Sequence, residues 1–477
     1  MSRTNAIARA LAYFDDEAGY FADLARRIAI PTECQEPSRL PNLYRYLEDE
    51  MRPAFESIGY TCTVYDNPVE GIGPVLLATR IEDPALPTVL GYGHGDVIRG
   101  YDSQWRKGLS PWRLVREGDT VYGRGTADNK GQHSVHIGAL KAVLAERGRL
   151  GFNSKFMIET GEENGSRGLK ELVAKHREAF AADAFIASDG PRVNVNRPNL
   201  ELGSRGCMNF DLAITLRKGG HHSGNWGGLL ANPGVILAHA LATIVSDKGR
   251  ILIKEWLPGP IPNSVRVALK GIEREVGEDA PEIDPEWGEP GLTSAEKVYG
   301  WNTFEVLAFR TGNPDNPVNA IPPRAIANCQ IRYVVGSKPD DFLPALRRHL
   351  DAHGFDAIEI QPPPAGNAGG FAAARTDPDD PWVEWAAAAV ARTTGEEPAI
   401  LPNSGGSICN DVFRDVLGVP TVWIPLSYGG CSQHAPGEHI LWPVVREGMQ
   451  IVAGVYWDLG EQGTPAPTST GAEGRRP

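Results

Sequence analysis

Five short stretches set acids and histidines just past apolar runs. "GHGDV" places His94 and Asp96 after "PTVLGY", and "GRGTADNKG" places Asp128 in a Gly-rich turn. "TGEENGS" sets Glu162 beside Glu163, "ASDG" supplies Asp189, and "SQHAPGEH" supplies His434. Imidazole and carboxylate donors without thiolates suit Zn²⁺, and equally Mn²⁺ or Co²⁺. Three of these carboxylates and two histidines are enough for two ions about 3.5 Å apart, one carboxylate bridging them. Singly, each stretch is weak: a lone histidine after a strand is usually structural, and paired glutamates usually form a solvated face. The Gly-rich turn lacks the spacing of either phosphate-binding fingerprint. Their joint placement carries the weight, and the adjacent Glu162 and Glu163 need either a positive partner or different directions.

The elements that must position these residues alternate in type. "NLYRYLEDEMRPAFESIGY" reads as a helix ending at Gly59, "PTVLGYGHGDV" as a strand, "KGQHSVHIGALKAVLAERG" as a helix and "SKFMIET" as a strand. "GLKELVAKHREAF" and "ADAFIASDG" continue the alternation, which predicts an α/β domain with a mixed, largely parallel sheet. Ligands in such sheets lie at the carboxyl ends of the strands. From residue 205 the pattern changes. "CMNFDLAITLRKGG" has period two, as an antiparallel strand does. "NPGVILAHALATIVS" and "DDFLPALRRHLDAHG" are helical, and "TFEVLAFRTG", "RAIANCQIRYVV" and "DAIEIQP" are strands. These make a small α+β sandwich, with a Pro- and acid-rich insertion at about 250–300. "DDPWVEWAAAAVARTTG" and "PTVWIPLSYGG" then resume the first pattern. The expected organisation is residues 1–204 and 375–460 for one domain, 205–374 for an inserted one, and a disordered tail over 461–477.

The 477 residues carry 47 basic and 60 acidic side chains, a net charge of −13. That argues against nucleic acid, whose phosphates need a basic face. The six cysteines form no C-x-x-C pair, as expected of buried, reduced thiols in a cytoplasmic protein. The first helix is amphipathic and acid-bearing, unlike a signal peptide, and no apolar window is long enough for a membrane span.

In order and spacing, "GHGDV", "GRGTADNKG", "TGEENGS", "ASDG", "HHSG" and "SQHAPGE" resemble the dinuclear zinc metallopeptidases of the carnosinase, aminoacylase and glutamate carboxypeptidase superfamily. The resemblance covers nearly the whole chain, and the long middle domain is most similar to the carnosinase-type dipeptidases. It implies a zinc-peptidase-like catalytic domain with an inserted lid and dimerisation domain. It also implies two Zn²⁺ per subunit, one held by His94, Asp128 and Asp189 and the other by Asp128, Glu163 and His434. Asp96 would steady the His94 ring, the Asp128–Asn129 bond would be cis, and Glu162 would be the general base. His222, or alternatively His221, would serve the oxyanion across a homodimer interface. Asn319, Arg332, Gly406 and Ser407 would hold the substrate's carbonyl and carboxylate, for which a guanidinium fork is suited. His133 and His136 are read as packing residues, His434 is favoured over His439, and Glu438 falls where the family has a supporting acid. The chain departs from the pattern after Ser407, reading Ile408, Cys409, Asn410, Asp411, which bears on specificity more than on chemistry.

The function implied is hydrolysis of an amide bond in a small peptide with a free carboxylate, or alternatively of an N-acyl or N-carbamoyl amino acid. A two-metal phosphoesterase would need more cations around the site and would leave Glu162 idle. A non-catalytic metal-binding protein would have lost the base or the oxyanion residue, yet Glu162 and His222 are both present.

Overall fold

The computed structural model describes residues 1–272, 282–363, 370–461 and 464–465. Most of the expected tail over 461–477, and part of the 250–300 insertion, lie outside the described residues. Six short strands open the large sheet: β1 (Thr61–Tyr65), β2 (Val75–Arg80), β3 (Thr88–His94), β4 (Asn153–Glu159), β5 (Ala184–Ala187) and β6 (Asn199–Glu201). The smaller sheet follows with β7 (Gly206–Thr215), β8 (Thr303–Thr311), β9 (Arg324–Tyr333) and β10 (Glu359–Gln361). β11 (Ala399–Leu401) and β12 (Thr421–Trp423) return to the large sheet.

The large sheet runs β1-β2-β4-β3-β5-β12-β6-β11. Its centre is parallel: β4 with β3, β3 with β5, and β5 with β12. β1, β2 and β4 are antiparallel neighbours, as are β12 and β6, so the sheet is mixed. Helices cover it: α1 (Arg3–Asp15), α2 (Lys130–Arg147), α5 (Pro381–Thr394) and α6 (Trp442–Glu461). Both faces of its central strands are buried, which explains their near-continuous apolar runs. β8-β9-β7-β10 is wholly antiparallel, and α3 (Pro233–Ile244) and α4 (Pro339–Ala352) pack on one side of it around Phe210, Trp256 and Phe342. The α/β unit with an α+β unit between its two halves is the architecture expected from the sequence.

The helix expected to end at Gly59 is not uniform. Pro53 has no N–H for the carbonyl four residues back, and the turns widen over Tyr46–Met51 ahead of it. All six cysteines are buried and free. Among the described residues no helix is long and apolar enough to cross a membrane.

Candidate metal centre

The parallel strands deliver His94, Glu162, Glu163 and Asp189 to one end of the large sheet, while Asp128 and His434 reach it on loops that follow strands outside that sheet. His94 closes β3 directly opposite Glu159, the last residue of β4. Gly93 before it is required for space, since a Cβ there would come within 2.4 Å of His133 on α2. Glu162 and Glu163 follow β4 in a single tight turn, Glu162–Asn164. Asp189 follows β5, and Asp128 stands just ahead of α2 with a cis bond to Asn129, as the family resemblance implied.

Two donor groups result: His94, Asp128 and Asp189, and Asp128, Glu163 and His434. They share Asp128, and Glu162 belongs to neither. His94 Nε2 lies 2.8 Å from Asp128 Oδ1 and 3.7 Å from Asp189 Oδ2. His434 Nε2 lies 3.0 Å from Asp128 Oδ2 and 3.0 Å from Glu163 Oε2. His94 Nε2 is nonetheless too poorly aligned for a hydrogen bond, and this buried nitrogen has no partner, nor has the buried Asp96 Oδ1. Orphaned buried polar atoms are rare in proteins. A divalent cation fits both donor sets by chemistry, since it needs the nitrogen lone pair rather than an N–H.

Supporting contacts fix these side chains. The Asp96 backbone carbonyl takes His94 Nδ1 at 3.1 Å, while the Asp96 carboxylate accepts the Glu163 N–H at 3.0 Å. Asp96 thus grips the His94 ring through its main chain and the glutamate turn through its side chain. Glu438 clasps the Asp128 loop. Its Oε1 accepts the N–H groups of Gly125, Ala127 and Asp128 at 3.0, 3.0 and 3.1 Å, and Oε2 pairs with Arg124 at 2.6 Å. Gln433 adds a bond to Asp128 Oδ2.

The electrostatics show unmet negative charge. Burial, then Glu163, Asp189 and Asp128, push the Glu162 carboxyl well above its usual range, against the pull of His94. Burial and Asp128 raise Glu163 to about 7, and burial raises Asp189 to about 6. Hydrogen bonds to Asp128 and Glu163 hold His434 up at about 11.

The three histidines that compete with these by sequence position are engaged elsewhere. His133 bonds Tyr46 and Asn129, and His136 sits between Tyr456 and Ser188, both in the core. His439 bonds the Tyr428 hydroxyl and the Gly437 carbonyl.

Both donor groups open into a cavity of about 1410 Å³, lined also by Glu162, Arg332, Gly406 and Ser407. Arg332 donates to the Ser407 hydroxyl at 2.7 Å. His222 and Asn319 do not reach this cavity. Both are exposed: His222 pairs with Ala320 in a two-residue ladder, and Asn319 stands just before that strand, its carbonyl accepting the Ser223 N–H. His221 packs edge-on against Trp226 instead. The departure after Ser407 points largely away from the cavity: Cys409 and Asn410 are buried, and Asn410 accepts the Trp423 indole N–H.

Sequence reasoning missed three contributors. Arg205 clamps the Gly405 carbonyl with two N–H groups at 3.0 and 2.7 Å, and its own carbonyl accepts the Ser407 hydroxyl. Glu201 lines the cavity at the end of β6. Trp287 and Tyr299 show that the 250–300 insertion walls the cavity, with Trp301 just beyond it. The available signal was the charged residues of "LELGSRG", set among small residues where the chain leaves the large sheet.

Residues 90–458 match the family model described as Peptidase family M20/M25/M40. The chain is similar to the Beta-Ala-His dipeptidase of Mus musculus, 26% identical over 405 residues, covering 82% of this chain and 81% of that protein. It is similar to the Cys-Gly metallodipeptidase DUG1 of Saccharomyces cerevisiae, 24% identical over 455 residues, covering 88% and 91%. Among solved structures, the di-peptidase Dug1p from Saccharomyces cerevisiae superposes with a TM-score of 0.77 at 22% identity, covering 97% of this chain and 99% of that one. Human carnosine dipeptidase 1 gives 0.76 at 23%, covering 95% and 99%. At these identities the structural likeness speaks for the fold.

Proposed function

The chain belongs to peptidase family M20/M25/M40, and on that premise we propose that it is a metal-dependent dipeptidase acting on small peptides with a free carboxylate. The observation that carries this reading is the pair of donor groups sharing Asp128, with Glu162 beside them but in neither, on the floor of a cavity that also holds Arg332. His94, Asp128 and Asp189 would hold one divalent cation, and Asp128, Glu163 and His434 a second; Zn²⁺ suits these donors, as do Mn²⁺ and Co²⁺. Such cations supply Lewis acidity, which polarises a carbonyl and acidifies water.

The chain's own groups divide the rest. Glu162 takes a proton from the attacking water on its carboxylate and returns it to the leaving nitrogen. Arg332 with Ser407 and Gly406 receives the substrate carboxylate, the guanidinium already oriented by Ser407 and by Gln330 at 3.0 Å. His222 and Asn319 act from a second copy of the chain. Supporting this, β8 is an edge strand whose Val306, Leu307 and Phe309 are exposed, as a pairing face would be. The corresponding domains are residues 1–204 with 375–460, and 205–374.

A screen of the Zn²⁺-loaded protein against dipeptides, N-acyl amino acids, N-carbamoyl amino acids and nitrophenyl phosphate tests the reading. Cleavage of dipeptides is the expected result. A protein that binds two cations and hydrolyses only the phosphate ester, or nothing, overturns it.

A further inference from the structure

Glu201 is the last residue of β6, 4% exposed, and yet part of the cavity wall. Leu200 before it is buried in the core beneath the sheet, so the alternation of the strand turns Glu201 to the other face. Two neutral groups touch its carboxyl: the Ser404 hydroxyl, and the Asn199 amide at 3.5 Å. No Arg, Lys or His among the described residues offsets it, and Asp189 repels it. Burying a carboxyl beside another acid with no cation is costly, and chains keep such groups where a ligand completes them. Ser404 belongs to the same loop as Ser407, whose hydroxyl accepts from Arg332. One short loop therefore touches an acid at one end and a guanidinium at the other. A dipeptide zwitterion carries the matching charges, ammonium at one end and carboxylate at the other.

We infer that Glu201 binds the α-ammonium group of the substrate's amino-terminal residue, so that the cavity selects free-amine dipeptides over N-acyl and N-carbamoyl amino acids. This rests on reading the cavity as a dipeptide site, and it gives that site a charge requirement the metal ligands alone do not impose.

Ala-Leu and N-propionyl-leucine differ only by the ammonium group. With the Zn²⁺-loaded protein, kcat/KM should favour Ala-Leu at least tenfold, and in Glu201→Gln that ratio should fall at least tenfold. A wild-type protein that treats both substrates alike, or a ratio within twofold of wild type in the variant, overturns the inference. The first of these needs no variant to fold. Calorimetric binding of L-alaninamide, with propionamide as control, reads Glu201 without turnover. Alaninamide should bind the wild type more tightly than propionamide, and Glu201→Gln should lose that difference; equal binding of the two amides by the wild type also overturns it. Retained amine preference in a protein that cleaves no amide would leave Glu201 standing and remove the dipeptidase reading instead.

Discussion

Replacing Glu438 by Gln tests whether the clasp on the Asp128 loop holds the metal centre together. Glu438 and Arg124 are each 1% exposed, and Oε2 sits 2.6 Å from the guanidinium. Gln keeps one oxygen for the N–H groups of Gly125, Ala127 and Asp128 but turns an NH₂ group towards Arg124, so two donors face each other. Breaking a buried pair by removing one partner costs about 3–5 kcal/mol. At about 2.1 cal/mol/K per residue, a cooperative unfolding of the 477-residue chain converts this into a Tm drop of about 3–5 °C. The larger effect falls on the ligands, since Asp128 belongs to both donor groups. Loss of a supporting contact of this type weakens metal affinity by about 10–100-fold. Thermal unfolding with and without added Zn²⁺, and competition titrations of Zn²⁺, read the two effects separately. The double variant Arg124→Met with Glu438→Gln removes the stranded guanidinium and should recover part of the stability but not the affinity. If Glu438→Gln melts within about 1 °C of wild type and binds Zn²⁺ equally well, the clasp does not organise the loop.

Three other outcomes are expected. Glu162→Gln should lower kcat by about 10²–10⁴ while metal content stays at wild-type level, whereas Glu163→Gln should lose metal; both are read by kinetics and elemental analysis, and a Glu162→Gln protein that loses metal would make Glu162 a ligand instead. Randomly mixed subunits of Glu162→Gln and His222→Ala, each inactive alone, should regain about a quarter of wild-type activity if His222 acts across a twofold dimer, and none if it acts within its own chain. His136 is fully buried and its pKa is pushed down from 6.5 to about 3 by burial. Below pH 6.5 the unfolded chain takes a proton that the folded one refuses, so stability falls as pH drops from 6.5 towards 3. His136→Gln, unfolded in urea at pH 7 and pH 5, should shrink the stability difference between the two by about 2 kcal/mol; an unchanged difference would show that His136 does not set the acid limb.

The donor positions His94, Glu163 and Asp189 were legible because each follows an apolar strand, and a parallel sheet must bring strand ends together. That rule does not place Asp128 and His434, which stand on loops beyond strands outside the large sheet and are brought to the others by the Glu438 clasp. Arg124, Arg205 and Glu201 were not legible, because their roles depend on partners far along the chain: Glu438, Gly405 and the loop at Ser404. A charged residue among glycines in a one-dimensional reading looks like any surface charge; only the folded loop shows what it clamps. His222 and Asn319 carry the opposite lesson. They were named on resemblance, and a single chain leaves them exposed, away from the cavity.

The placement of β12 has a consequence for how the protein is made. Thr421 pairs with Phe185, and β12 separates β5 from β6 at the middle of the large sheet. At a synthesis rate of about 5–20 residues per second, β5 waits roughly 10–50 s for its neighbour to leave the ribosome. His434, the last residue of the two donor groups, emerges later still. The nascent chain can fold its small antiparallel sheet in that interval, but the centre of its large sheet and the second donor group can form only near the end of translation, which leaves the open flanks of β5 and β6 as the surfaces in need of protection meanwhile.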